Sequence, residues 1–267
     1  MPQHQKEIEF FSGQGVVLIS DIDPVTNLPV GFRHMANVSE LSFSHNVDTT
    51  NFKESTSGQR QIVLRHETGK EILVALTFQS FSKENVALAV FGDTTDVAAA
   101  VGVAVTKVVQ TGLIYGFGKV KVSNLVVTDT ATGLITYVAN QNFELDENAG
   151  SVRIFTAAEQ AVSNGGSPAA DIIADADDLT FTFDHEAQVQ LESFTQPRKD
   201  VALRFEGLNT ENSDEPVVVD IHRFNTDPLA EFSMITEEIW EGELEGTALF
   251  DPTQPAGKSK LYSVTKT

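Results

Sequence analysis

The chain has 267 residues and 41% hydrophobic side chains, enough to bury a sizeable core as one large domain or two smaller ones. Its formal charge of −20 excludes binding to phosphate backbones through a basic surface, and its lack of cysteine excludes disulfides, thiol catalysis and thiolate metal sites. Eighteen Phe against three Met, with much Val and Thr, favours strands over helices.

The charge runs through the whole chain: −5 over residues 1–100, −7 over 101–200 and −8 over 201–267. Folded surface must therefore carry it, and it keeps free subunits soluble. The start, MPQHQKEIEFF, has neither the basic nor the apolar region of a signal peptide, and VAAAVGVAV (97–105), the longest apolar run, is too short to span a bilayer. A soluble product of a reducing, cytoplasmic compartment is expected.

In chain order, GQGVVLIS (13–20) reads as a strand and DPVTNLP (23–29) as a Pro-bounded loop. LSFS (41–44) alternates, with Leu41 and Phe43 on one face and Ser42 and Ser44 on the other. HNVDTTNFKESTSGQRQ (45–61) is too long and too polar for a plain hairpin turn. QIVLRHETGKEILVALTF (61–78) then reads as a hairpin turning at Glu67-Thr68-Gly69-Lys70. SKENVALAV (82–90) is the one convincing helix, with Ser82 as N-cap and Gly92 in the C′ position.

The middle of the chain, 101–198, reads as an inserted all-β unit between a first part, 1–100, and closing strands, 199–267. VKVSNLVVTDTATGLITYVA (120–139) is two strands around Thr130-Ala131-Thr132-Gly133, and FELDENAGSVRIF (143–155) two more around Asn148-Ala149-Gly150. SNGGSP (163–168) is a loop, followed by acidic DIIADADD (171–178) and the alternating strand LTFTFDHE (179–186). VALRFEGLN (201–209), VVVDIHRF (217–224) and IWEGELEGTALF (239–250) are strands, while DPLAEF (227–232) has the Asp-Pro of a helix start and an ambiguous continuation.

Motifs for chemistry are lacking. The six histidines are scattered without His-Glu-x-x-His spacing, GQG and GFG lack the third glycine of a dinucleotide loop, and DADD lacks the Gly and distal Glu of a calcium loop. Glu237, Glu238, Glu241, Glu243 and Glu245 cluster around Trp240, but Glu241, Glu243 and Glu245 have period two. They stand on one face of one strand rather than across a cleft, so an acidic wall is expected and not a glycosidase pair. The chain is expected to be no enzyme and to hold no cofactor or metal.

SELSFSHNVDTTNFKESTSGQR (39–60), two returning strands and the FSKENVALAVFG helix (81–92) together resemble the N-terminal half of the major tail tube proteins of long-tailed bacteriophages. Lys53-Glu54-Ser55-Thr56-Ser57-Gly58 is similar to that family's arm signature, YVANQNFELDENAGSVRIF (137–155) to its inserted unit, and VALRFEGLN, VVVDIHRFNTDPLAEFSMI and GELEGTALFD to its closing strands. The resemblance implies a mainly β, tail-tube-type sandwich or barrel with one short flanking helix, a long inter-subunit β-arm and an inserted all-β unit. It further implies a structural virion protein, made in the host bacterial cytoplasm, whose copies close into rings of six and stack into the tube that conducts the genome.

On that reading the long linker is an arm packing on neighbouring copies. Asp48, Asn51, Phe52, Lys53, Glu54, Ser55 and Arg60 are its contact residues, with Phe52 as buried anchor and Lys53 and Glu54 pairing across the interface. Glu241, Glu243 and Glu245, with Asp220 as a weaker addition, are the candidate acidic lumen wall, which repels DNA so that it passes without specific binding. The implied partners are the chain itself, a tape measure protein inside the tube, and tail terminator and tail-tip proteins, with no membrane. A carbohydrate- or cell-surface-binding β-sandwich module is the alternative, and the inner tube of a contractile machine shares the fold.

Overall fold

The computed structural model describes residues 9–163 and 171–267. SNGGSP, apart from Ser163, lies outside the described residues. The chain divides into two compact units, one made of the chain up to Thr94 together with Leu191–Thr267 and the other of Thr95–Gln190.

In the first unit, β1 (Gly13–Asp21), β2 (Arg33–His34), β3 (Val38–Lys53) and β4 (Ile62–Phe78) lead to helix α1 (Lys83–Ala89) and β5 (Asp93–Val97), which runs on into the second unit. There follow β6 (Ala100–Val108), β7 (Ile114–Gly116), β8 (Val122–Asp129), β9 (Thr136–Tyr137), β10 (Phe143–Asp146), β11 (Ser151–Ile154), helix α2 (Ala157–Ser163) and β12 (Asp178–His185). Strand β13 (Gln188–Glu192) pairs with β5, and β14 (Asp200–Asn209), β15 (Glu215–Thr226), β16 (Gly242–Ala248) and β17 (Tyr262–Lys266) complete the first unit.

The main sheet runs β2-β1-β14-β15-β16-β4-β3, and its neighbouring strands pair antiparallel. Strand β15 forks: Val217–Ile221 pairs with β17 and Phe224–Thr226 with β16, both along the edge opposite β14. The sheet thus folds over on itself, sandwich-like, and both parts send side chains into one core. Val17, Ile19, Leu203 and Ile221 come from one part and Val74, Leu76, Phe78 and Leu244 from the other. Gly246 makes the fork possible, because a Cβ there would stand 2.1 Å from the Asn225 carbonyl oxygen.

In the second unit the four-stranded sheet β6-β12-β8-β9 and the three-stranded sheet β10-β11-β7 enclose Phe143, Ile154, Leu179, Phe181 and Phe183. Strand β12 alternates as its sequence predicts, with Leu179, Phe181, Phe183 and His185 buried. The turn between β10 and β11 depends on Gly150, whose φ is +59° and whose Cβ would collide with the Lys119 carbonyl oxygen at 1.8 Å.

Four expectations are corrected. Glu67-Thr68-Gly69-Lys70 is no turn: β4 continues through it for 17 residues, and Thr68 is the extra residue of a bulge, since Asp48 pairs with Gly69 and Thr49 with Glu67. The facing strand β3 runs on unbroken over the same stretch, so ladder pairing outweighs a local turn signal. Gly92 is not the left-handed C′ residue of α1. Phe91 takes that conformation at φ +49°, and its amide donates to the Leu88 carbonyl while the Gly92 amide donates to that of Ala87. Gly92 is needed for space instead, its Cβ position lying 2.6 Å from the Glu192 carbonyl oxygen.

The other two corrections concern helices. The middle unit is not all β and α1 is not the only helix, because α2 begins on a capping box. The Glu159 amide approaches the Thr156 hydroxyl at 3.3 Å, and the Glu159 carboxylate accepts from the Thr156 amide at 2.8 Å. DPLAEF forms neither helix nor strand.

Candidate functional site

Strands β3 and β4 form a hairpin whose two halves have different surroundings. From Leu73 to Phe78, β4 also pairs with β16, and Ile72, Val74, Leu76 and Phe78 point into the core. Beyond Leu73, β3 and β4 pair only with each other among the described residues, as a ribbon from His45–Lys53 and Ile62–Ile72 that is rooted by Ile72 in the core and by His45 on the Tyr262 hydroxyl at 2.9 Å. At about 3.3 Å per residue it carries the chain about 30 Å past the sheet.

The polar, proline-free stretch at 45–61 is therefore strand as far as Lys53 and an eight-residue turn from Glu54 to Gln61. The Glu54 amide closes the turn on the Gln61 carbonyl at 2.8 Å. The Glu54 carboxylate accepts from the Thr56 hydroxyl at 2.7 Å, the Ser57 amide at 3.2 Å and the Ser57 hydroxyl. Arg60 turns the chain back in the left-handed conformation, at φ +53°.

The arm residues named from the sequence divide accordingly. Asp48, Asn51, Phe52 and Lys53 lie on β3, and Glu54, Ser55 and Arg60 lie in the turn. Phe52 faces Leu64 across the ladder and Asn51 faces Arg65, so apolar and polar pairs alternate between the ribbon's two faces. Neither face is covered: Phe52 is 51% exposed, Leu64 56% and Val63 64%. Sequence reasoning passed by Ile62, Val63, Leu64 and Arg65, which carry most of the tip's apolar surface, because they were placed in the first strand of a separate hairpin.

The acidic strand face has the expected alternation. Glu243 and Glu245 on β16 are exposed while Gly242, Leu244 and Gly246 between and beside them are buried, and Glu241 is exposed just before the strand. Glu241 accepts from the Gln79 amide nitrogen at 2.7 Å, and Gln79 in turn accepts from Asn37. A fourth carboxylate belongs to the same face, since Glu243 lies opposite Thr77 and Thr77 opposite Glu40 of β3, about 10 Å away across two strand spacings. Extending the Ser42 and Ser44 alternation back by two residues finds it.

Asp220 is separate from these. It lies on β15 opposite Ser263 and accepts from the Arg204 guanidinium at 2.8 Å, while the same guanidinium reaches Glu206 at 2.6 Å. Trp240 is half-buried and met edge-on by Phe78, Phe81 and Phe232 at centroid distances of 5.5, 5.1 and 5.7 Å. A ring held this way serves the packing of the segment rather than an open stacking platform.

A β-rich protein of two compact units, with a bare two-stranded ribbon extending from the main sheet of the first, is the class that these features define. The chain belongs to the family described as protein of unknown function UCP028589, whose model matches residues 10–265. No curated protein matches the chain. Among the described residues, no helix is long and apolar enough to cross a membrane.

Proposed function

We propose that this chain is a structural subunit that polymerises into stacked rings forming a hollow tube, the tail tube of a long-tailed bacteriophage, with DNA as its passing cargo. The observation that carries the reading is the bare ribbon of β3 and β4. An isolated two-stranded hairpin is at best marginal in water, and this one exposes Phe52, Ile62, Val63 and Leu64 at its end. A second copy that covers the ribbon accounts for both. On this reading the chain acts as no enzyme, and the tape measure, terminator and tip proteins of the virion are its other partners.

The carboxylate face of Glu40, Glu241, Glu243 and Glu245 is assigned to the lumen. Fixed negative charge there repels phosphates within a Debye length, about 8 Å at physiological salt. Negative-stain electron microscopy of the purified, concentrated protein tests the assignment, with rings or tubes of uniform width expected. The control replaces residues 50–66 by Asn-Gly, a two-residue turn between the paired Thr49 and Glu67. That chain is expected to fold and remain monomeric, and normal tubes from it would remove the arm from the assembly.

A further inference from the structure

The segment Asp227–Glu241, between β15 and β16, contains no helix or strand and exposes Phe232, Met234, Ile235 and Ile239, with Ile235 at 97%. It is nonetheless tethered. The Leu229 amide donates to the Ala89 carbonyl at 2.7 Å, and Phe232 stacks on Phe81 at 5.9 Å, both rings meeting Trp240, which abuts Phe78 of the core. The segment thus presents an apolar surface of the kind that marks an interaction site. It holds five carboxylates and no basic residue, and one of the five, Asp227, is paired with Arg198.

The arm tip is its complement. Residues 50–66 hold Lys53, Arg60 and Arg65 against Glu54, a net charge of +2 in a chain of −20, beside the exposed Phe52, Ile62, Val63 and Leu64. The two surfaces lie at opposite ends of one strand: Gly242, which follows the segment, pairs with Phe78, whereas the arm leaves the sheet beyond Leu73. Fourteen residues of β4, about 45 Å, separate Phe78 from Leu64, so a tip does not meet the segment of its own chain.

We infer that the Asp227–Glu241 segment, seated on the Phe81–Phe232–Trp240 cluster, is the surface on which the arm tip of a second copy docks. Donor and acceptor at opposite ends make the contact heterologous, each copy giving its tip to one neighbour and receiving that of another, so the contact propagates. The inference rests on the reading of the chain as a self-assembling subunit.

The test uses charge exchange in the full chain. Glu237→Lys with Glu238→Lys on the segment, or Arg60→Glu with Arg65→Glu on the tip, is expected to weaken assembly at least tenfold by sedimentation velocity. Mixing the two altered chains is expected to restore it, because each then offers a tip that fits the other's segment. A photo-crosslinking residue in place of Val63 is expected to capture residues 227–241 or Phe81 of a second copy. Segment variants that assemble like the parent, or crosslinks that map elsewhere, would overturn this docking site while leaving the arm's role standing. Assembly that survives the Asn-Gly trimming would overturn the arm's role and the docking site while leaving the subunit reading standing, and a parent chain that stays monomeric throughout would overturn the subunit reading and the docking site together.

Discussion

The inner and outer halves of the β3–β4 hairpin share one ladder and differ in almost everything else. Inside, β4 alternates between core and surface, with Leu76 and Phe78 fully buried. Outside, the same two strands keep pairing across two further bulges, with apolar residues on uncovered faces and three cations near the tip. Burial holds the inner half in place. Beyond its root, where Ile72 reaches the core and His45 meets the Tyr262 hydroxyl at 2.9 Å, main-chain pairing and cross-strand contacts hold the outer half, and what its exposed apolar side chains contribute is left for another molecule.

The comparison can be broken by substitution. Leu76→Ala in the inner half is expected to cost about 2–5 kcal/mol in urea unfolding of the parent chain. Leu64→Ala in the outer half is expected to change monomer stability by no more than about 0.5 kcal/mol, as for an exposed side chain, while reducing assembly. Equal costs at the two positions would mean that the ribbon is covered within the monomer.

A smaller effect, about 1 kcal/mol, is expected from Thr156→Ala at the cap of α2 in the second unit, which has no bearing on the arm. Hydrogen bonds from Arg153, the Thr156 amide and the Thr156 hydroxyl hold the Glu159 carboxyl down at about 2, against 4.5 for the free group. Its contribution is therefore complete above pH 4.5 and is lost as pH falls through 2. Glu159→Gln should flatten the stability profile over that acid window and leave assembly at neutral pH unchanged, which acid titration followed by circular dichroism would check.

The smallest effect on folding is expected on the carboxylate face. Replacing Glu241, Glu243 and Glu245 by Lys should leave stability within about 0.5 kcal/mol, since Glu243 and Glu245 point to solvent and Glu241 loses one surface hydrogen bond. Assembled tubes of that variant are expected to retain duplex DNA at low salt and release it as salt rises, whereas parental tubes retain none. Retention by both would take these residues off the lumen wall.

Most strands were legible in the sequence because alternation and turn chemistry agree there. LTFTFDHE and the turns at Thr130–Gly133 and Asn148–Gly150 are cases in point. In the outer hairpin the β4 side was legible as strand from Ile62 on, but His45–Lys53 was legible only as an unusual composition, because neither face is buried and apolar alternation has nothing to report. Glu67-Thr68-Gly69-Lys70 carries turn residues that serve a bulge, and only the partner strand distinguishes the two. Thr156-Ala157-Ala158-Glu159 announces α2 as a capping box, but seven residues are too few for an apolar period to appear. The period-two carboxylates were readable from spacing alone. Alternation places Glu40 on the Ser42 and Ser44 face of β3, and the cross-strand register, which a single sequence does not contain, is what brings that face beside β16.

The bulge at Thr68 also bears on how such a chain can change over generations. Asp48 keeps Gly69 and Thr49 keeps Glu67 as partner, so losing Thr68 alone would make the pairing regular there and leave every distal residue of β4 on its present face. Losing one paired residue of the ribbon would instead turn the residues beyond it to the opposite face. The eight-residue turn at the end imposes no such rule and can lengthen or shorten by any number. Relatives whose arms differ in length should therefore vary freely between Glu54 and Gln61. In the ribbon itself, apart from its unpaired bulge residues, length should change only by matched pairs of residues, one from each strand.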